Sequence, residues 1–66
     1  MIDIFLNGES RSVGKKDLAQ LIEKLALPSK RIAVELNGSV VRRVDWPQTQ
    51  LNDGDKIEVV HFVGGG

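Results

Sequence analysis

The chain has 66 residues, with nine basic and nine acidic side chains and no cysteine. This length allows one domain, and a domain this small buries only about 60% of the surface that its unfolded chain exposes. A catalytic cleft would compete with the core for the same residues, which disfavours an independent enzyme. The balanced charge disfavours nucleic-acid binding. Without cysteine there is no disulfide, no thiolate nucleophile and no cysteine-based metal site.

The start of the chain and its hydropathy predict a cytoplasmic protein. Met1 to Ile4 does not form the charged segment of a signal peptide. The longest apolar runs are far below the roughly 18 to 20 residues that span a bilayer. We therefore predict no contact with membranes, a monomer when free, and no metal or cofactor bound by the chain itself.

The first segments predict a β-hairpin. Ile2, Ile4 and Leu6 alternate with Asp3 and Phe5, and β-branched residues and phenylalanine favour the pleated surface of a strand. Asn7-Gly8 suits a two-residue type I′ turn, because both of its positions require positive φ. Residues 9–13 form the returning strand, which is polar and therefore expected to be largely exposed.

A single helix is predicted over residues 17–26. Asp17 is the expected N-cap, with Gln20 completing a capping box, and Lys16 is the alternative start. Leu27-Pro28 ends the helix because a residue that precedes proline avoids the α region. The spacing i, i+3, i+4 and i+7 places four apolar residues on one face, namely Leu18, Leu21, Ile22 and Leu25.

The second half predicts three more strand segments. Residues 31–36 form a strand, and Asn37-Gly38 turns the chain into a short strand at 39–41. Residues 42–50 are irregular, with Trp46 in a short helical turn or loop and its indole partly covering the core. A dense turn signal at residues 52–55 then leads into a last strand at 56–63.

This order of elements predicts an α+β fold. It is the order of the β-grasp, in which the first and last strands pair in parallel at the centre of a mixed sheet and the helix packs across one face. The right-handed crossover rule is compatible with the path of the chain through the helix. We expect residues 1–63 to form a single β-grasp domain and residues 64–66 to form a flexible glycine tail.

The tail is the candidate functional group. Gly64, Gly65 and Gly66 bury no apolar surface, and they reach roughly 10 Å beyond Val63 when extended. They follow directly on a strand and would present the carboxylate of Gly66 on a thin backbone, which favours a functional tail. The alternative is a frayed end or a cloning remnant.

Apolar residues on the outer face of the sheet form a candidate docking surface. Val60 and Phe62 alternate with the core-facing residues of the last strand, and Phe5 and Val63 lie next to them in the predicted sheet. An exposed apolar patch beside the tail favours a partner surface. The alternative is the scattered exposure that is normal for small sheets. His61 is interpreted as solvent-facing or structurally satisfied, because no nucleophile or orienting group accompanies it.

The carboxylate of Gly66 needs a partner to become reactive. It is a poor electrophile when ionised, and the chain has no Walker-type phosphate loop with which to activate it by ATP. The sequence resembles the ThiS family of ubiquitin-like sulfur carriers over nearly its whole length. The segments that carry the resemblance are Asn7-Gly8-Glu9, Asp17 to Leu25, Ala33 to Gly38, Val41 to Trp46, Leu51 to Glu58 and Val63 to Gly66.

The resemblance implies a role as a carrier and not as an enzyme. A ThiF-like adenylating enzyme would use ATP to join AMP to Gly66, and sulfur from a persulfide donor would convert it to a thiocarboxylate. The thiazole synthase ThiG would then use that sulfur to build the thiazole of thiamine. Gly64 and Gly65 would thread through the active sites of these partners.

Three other functions remain open at this point. A molybdopterin-synthase small subunit uses the same tail chemistry, although its chains are longer. A ubiquitin-like protein modifier would end in an isopeptide bond to a lysine. A plain β-grasp interaction module would carry an inert tail.

Overall fold

The alternating apolar residues of the chain form the inner face of a five-stranded mixed sheet. A computed structural model describes residues 1–61, and for Ser29 the backbone only. Its strands are β1 (Ile2–Leu6), β2 (Glu9–Val13), β3 (Ile32–Leu36), β4 (Ser39–Val41) and β5 (Lys56–His61), and its helix is α1 (Leu18–Lys24). The order across the sheet is β2-β1-β5-β3-β4.

The first and last strands lie side by side, as predicted. β1 and β5 pair in parallel, with Phe5 opposite Lys56 and Leu6 opposite Ile57. β3 pairs with β5 in the antiparallel sense over five residues, from Leu36 opposite Ile57 to Ile32 opposite His61. The α+β prediction and the β-grasp topology are therefore confirmed, and the strand that leads toward the tail occupies the middle of the sheet.

The core lies between the sheet and α1. One face of the helix is buried against the inner side chains of the strands, because neither the helix nor the sheet can bury its apolar surface alone. No buried side-chain nitrogen or oxygen in the described part of the chain lacks a hydrogen bond. The core residues are Ile4, Leu6, Val13, Leu18, Leu21, Ile22, Ile32, Val34, Trp46, Leu51 and Ile57.

The helix begins as predicted and ends earlier. Asp17 accepts a hydrogen bond from the backbone N–H of Gln20 at 2.8 Å, and the Gln20 side chain accepts one from the N–H of Asp17 at 3.1 Å, which completes the capping box. The helix ends at Lys24 and not at residue 26. Leu25 is the C-cap, and Ala26 takes a left-handed φ of 56°.

The early end of the helix is a Schellman motif. The N–H of Ala26 donates to the carbonyl of Glu23 at 3.0 Å, and the N–H of Leu27 donates to the carbonyl of Ile22 at 3.4 Å. Glycine is the usual residue at the left-handed position, so the presence of alanine there concealed the helix end in the sequence. Pro28 follows the motif and does not itself end the helix.

The segment predicted to be irregular contains a 3-10 helix over Arg43–Gln48. Trp46 lies in it with only 4% of its surface exposed, and its indole N–H donates to the carbonyl of Val41 at 2.9 Å. The indole thus belongs to the core, because its polar atom has a partner. None of the helices formed by residues 1–61 has the length and apolar character needed to cross a membrane.

Candidate functional site

β5 is the element that presents the candidate tail. It is paired with β3 from Ile57 to His61, and Ile57 is fully buried. The predicted site residues Phe62, Val63, Gly64, Gly65 and Gly66 lie outside the described residues. Their roles stay predictions, and the geometry below concerns the strand that leads to them and the surface around it.

Both asparagine–glycine turns are attached to β5 through the asparagine side chain. Asn7 accepts a hydrogen bond from the N–H of Val59 through Oδ1 at 2.8 Å, and Asn37 accepts one from the N–H of Lys56 through Oδ1 at 2.9 Å. Both asparagines have positive φ, 49° and 52°, as a type I′ turn requires. Each asparagine therefore shapes a turn and also takes the place of a strand residue beside β5.

A third turn holds the start of β5 against β1. The N–H of Phe5 donates to the carbonyl of Asp55 at 2.9 Å, and the N–H of Gly54 donates to the carbonyl of Asp3 at 2.7 Å. Gly54 has a φ of +88°, which residues other than glycine rarely adopt. The Asp53 side chain accepts from the N–H of Asp3 at 2.7 Å. β5 is thus held by side chains or turns on both sides before it reaches the tail.

Two of the predicted docking residues lie on the outer face of the sheet. Phe5 is 41% exposed and Val60 is 53% exposed. Because Phe5 is paired with Lys56, it lies about 13 Å from Val60 along β5, at about 3.3 Å per residue. Glu58 lies on the same face between them, so the apolar surface formed by these two residues is interrupted by a charge.

The outer face also carries two glutamates that sequence reasoning did not single out. Glu35 on β3 is directly opposite Glu58 on β5. Val40 on β4 lies opposite Glu35 and is 67% exposed. Like charges placed directly opposite each other destabilise a sheet. The pairing depends on strand register, and no local pattern in the sequence specified it.

His61 is the last described residue of β5. It lies opposite Ile32 and is exposed. No side chain within residues 1–61 forms a hydrogen bond to its ring, and no group of three or more histidine, aspartate and glutamate side chains in this part of the chain could hold a metal ion. The contacts among the described residues thus include no nucleophile–base pair.

Comparison with known proteins identifies the family. The ThiS family model matches residues 4–66. The chain is 36% identical over 63 residues to the sulfur carrier protein ThiS of Thermus thermophilus, and the match covers 96% of this chain and 98% of that protein. The crystal structure of the thiamine biosynthesis protein ThiS from Geobacter metallireducens superposes with a TM-score of 0.87 at 30% identity, covering 98% of this chain and 100% of that one.

A third relative is a longer protein. The chain is 38% identical over 64 residues to a thiazole synthase of Paramagnetospirillum magneticum, which covers 96% of this chain but only 20% of that protein. A segment similar to this chain is therefore one part of that larger protein. The family model and the full-length match to the Thermus protein carry the assignment: the chain belongs to the ThiS family of sulfur carrier proteins of thiamine biosynthesis.

Proposed function

We propose that this chain carries sulfur for thiazole formation as a thiocarboxylate on Gly66. The observation that carries the proposal is the family match, which extends to residue 66 and so includes the glycines. The chain has no cysteine on which sulfur could be held as a persulfide. We therefore place the sulfur on the acyl carbon of Gly66, where the glycine backbone has no side chain to obstruct a partner's active site.

The first step is activation by a partner. A ThiF-like adenylating enzyme joins the Gly66 carboxylate to the α-phosphate of ATP, and pyrophosphate leaves. The chain has no phosphate-binding loop of its own, which supports an activating site on another protein. Gly64 and Gly65 suit passage through a narrow channel because they lack a Cβ.

The second step is sulfur transfer. The terminal sulfur of a cysteine persulfide on a donor protein attacks the acyl carbon of Gly66, and AMP leaves. A thiol then attacks the donor sulfur of the resulting acyl disulfide. This releases the Gly66 thiocarboxylate and leaves the donor as a disulfide. The chain is a co-substrate of both partners in this scheme and catalyses neither step.

Thiazole synthase is the proposed acceptor. The relative from Paramagnetospirillum magneticum carries that name and includes a segment like this chain, which supports a functional association between the two. Val60 is 53% exposed on the outer face of the sheet, shortly before the tail in the chain. A flat, open face of this kind suits docking of a protein better than binding of a small molecule.

Intact-mass analysis tests the proposal. The chain is incubated with the adenylating enzyme, ATP and a persulfide donor, and the expected product has one oxygen replaced by sulfur. Deletion of Gly66 should abolish this product and leave the melting temperature nearly unchanged, since the described core lies within residues 4–57. A Val44→Ala variant is the matched control, because it trims a side chain that is 68% exposed and lies outside β5, and it should still gain sulfur.

Mass analysis with candidate acceptors added to the same mixture separates the other functions. Adducts to lysines of other proteins would indicate a modifier. Sulfur gained on Gly66 but passed only to a molybdopterin precursor would indicate a molybdopterin-synthase subunit. A chain that stays unmodified under these conditions would refute the carrier function.

A further inference from the structure

One edge of β5 remains open next to the tail. β1 pairs with β5 only at Lys56 and Ile57, because the chain turns away from β5 into β2 at Asn7-Gly8. β3, on the other side, pairs with β5 as far as His61. From Glu58 onward β5 therefore has a neighbouring strand on one side only within the described residues.

The direction of the backbone groups follows from the hydrogen bonds. Lys56 exchanges hydrogen bonds with Asn37, on the β3 side. The carbonyl of Ile57 accepts from the N–H of Asn7 at 2.9 Å, on the β1 side, and the N–H of Val59 donates to the Asn7 side chain on that same side. Because these groups alternate along a strand, the carbonyl of Val59 and the N–H of His61 also face the β1 side.

These two groups match the parallel pairing pattern. In a parallel pair, one residue donates its N–H to residue i−1 of the neighbour and accepts from the N–H of residue i+1. Val59 and His61 are residues i−1 and i+1 around Val60. Antiparallel pairing at Val59 would instead need its N–H, which Asn7 already occupies.

The other sheet edges are less suited to pairing. β2 is the edge on one side, and four of its five residues, Glu9 to Ser12, are polar and exposed. β4 is the edge on the other side and has only three residues. Charged and short edge strands discourage the addition of a strand. The β5 edge carries Val59 and Val60 and leads directly toward the tail.

We infer that this edge of β5 binds an extended backbone segment of thiazole synthase, parallel to β5 and in line with β1. The inference rests on the proposed function, which supplies the occupant. Main-chain hydrogen bonds of this kind add a strand to an exposed edge. They would align the tail with the partner without demanding particular side chains from it.

Amide hydrogen exchange of the full chain, followed by NMR, tests the inference directly. In the free chain the N–H of Val60, which faces β3, should be protected, and that of His61 should exchange rapidly. On addition of thiazole synthase the His61 amide should become protected. A His61 amide that exchanges as rapidly in the complex as in the free chain would overturn the inference.

Removal of a single N–H gives a second test. His61→Pro removes an N–H that donates to no residue in the described part of the sheet. The fold should therefore be kept, and binding to thiazole synthase should weaken about tenfold. A synthetic chain with an ester in place of the Val60–His61 amide removes the same donor and keeps the imidazole. This ester chain should show the same tenfold loss of binding to thiazole synthase. If the proline variant does not fold, the ester chain alone tests the inference.

Ser10→Pro is the matched control. The N–H of Phe5 faces β5, so the Phe5–Ser10 pair is not hydrogen-bonded and the Ser10 N–H faces outward from β2. This variant should bind as the parent chain does. Equal binding of thiazole synthase by the ester chain and by the parent chain would overturn the inference. It would also be overturned if the parent chain formed a dimer and the ester chain did not, because the edge would then bind a second copy of this chain. Failure of the proposed function looks different, because the parent itself would then neither gain sulfur nor bind thiazole synthase.

Discussion

Replacement of Asn7 by glycine should loosen β5 without distorting the turn. Glycine adopts the φ of 49° freely, so the main change is loss of the side-chain oxygen that accepts from Val59. Loss of one such hydrogen bond costs about 1 kcal/mol. A chain of 66 residues unfolds with an entropy of roughly 0.14 kcal/mol per kelvin, so the melting temperature should fall by about 7 °C.

Thermal unfolding followed by circular dichroism measures this change, and amide exchange locates it at Val59. Asn7→Asp keeps an acceptor oxygen and should lose less than half as much. Asn37→Gly removes two side-chain hydrogen bonds, to the N–H of Lys56 and to Asp55, and should lose about twice as much. If Asn7→Gly melts within about 1 °C of the parent chain, the side chain does not hold β5 and the reasoning fails.

Two further predictions concern stability away from the turns. Ala26→Gly should raise the free energy of unfolding by about 1 kcal/mol, because Ala26 has a φ of 56° that glycine adopts without strain. Denaturant titration measures this change, and an unchanged unfolding midpoint would contradict the prediction. Glu58→Gln should raise it by about 0.3 kcal/mol by relieving repulsion from Glu35. That gain should shrink as salt is added, and a variant less stable than the parent at low salt would show that the pair is not repulsive.

The local patterns of the sequence predicted most of the fold. Alternation located the strands because one side of the sheet is buried, and the Asp17–Gln20 capping box located the helix start because both partners lie within one turn. Ala26 shows the limit of this reasoning. Its left-handed conformation is enforced by the helix end and by packing, and alanine gives no local signal for it.

The arrangement around β5 could not be predicted from local patterns. Asn7 and Val59 are 52 residues apart, so their hydrogen bond depends on the parallel pairing of β1 with β5. The opposition of Glu35 and Glu58 likewise depends on register. Composition identified the glycines as candidates. The open edge at Val59 and His61 has no signal in the sequence, because it arises where β1 pairs with only two residues of β5 and β3 pairs with five.

The two asparagine–glycine turns also bear on the chemical ageing of the protein. Asparagine followed by glycine is prone to deamidation, because the glycine N–H can attack the side-chain amide without steric hindrance. In this fold the side-chain oxygens of Asn7 and Asn37 are hydrogen-bonded to β5, which restricts that attack. Deamidation therefore requires local opening of the sheet. Its rate at each asparagine should report how often the corresponding side of β5 is released, on a timescale of days that stability measurements do not reach.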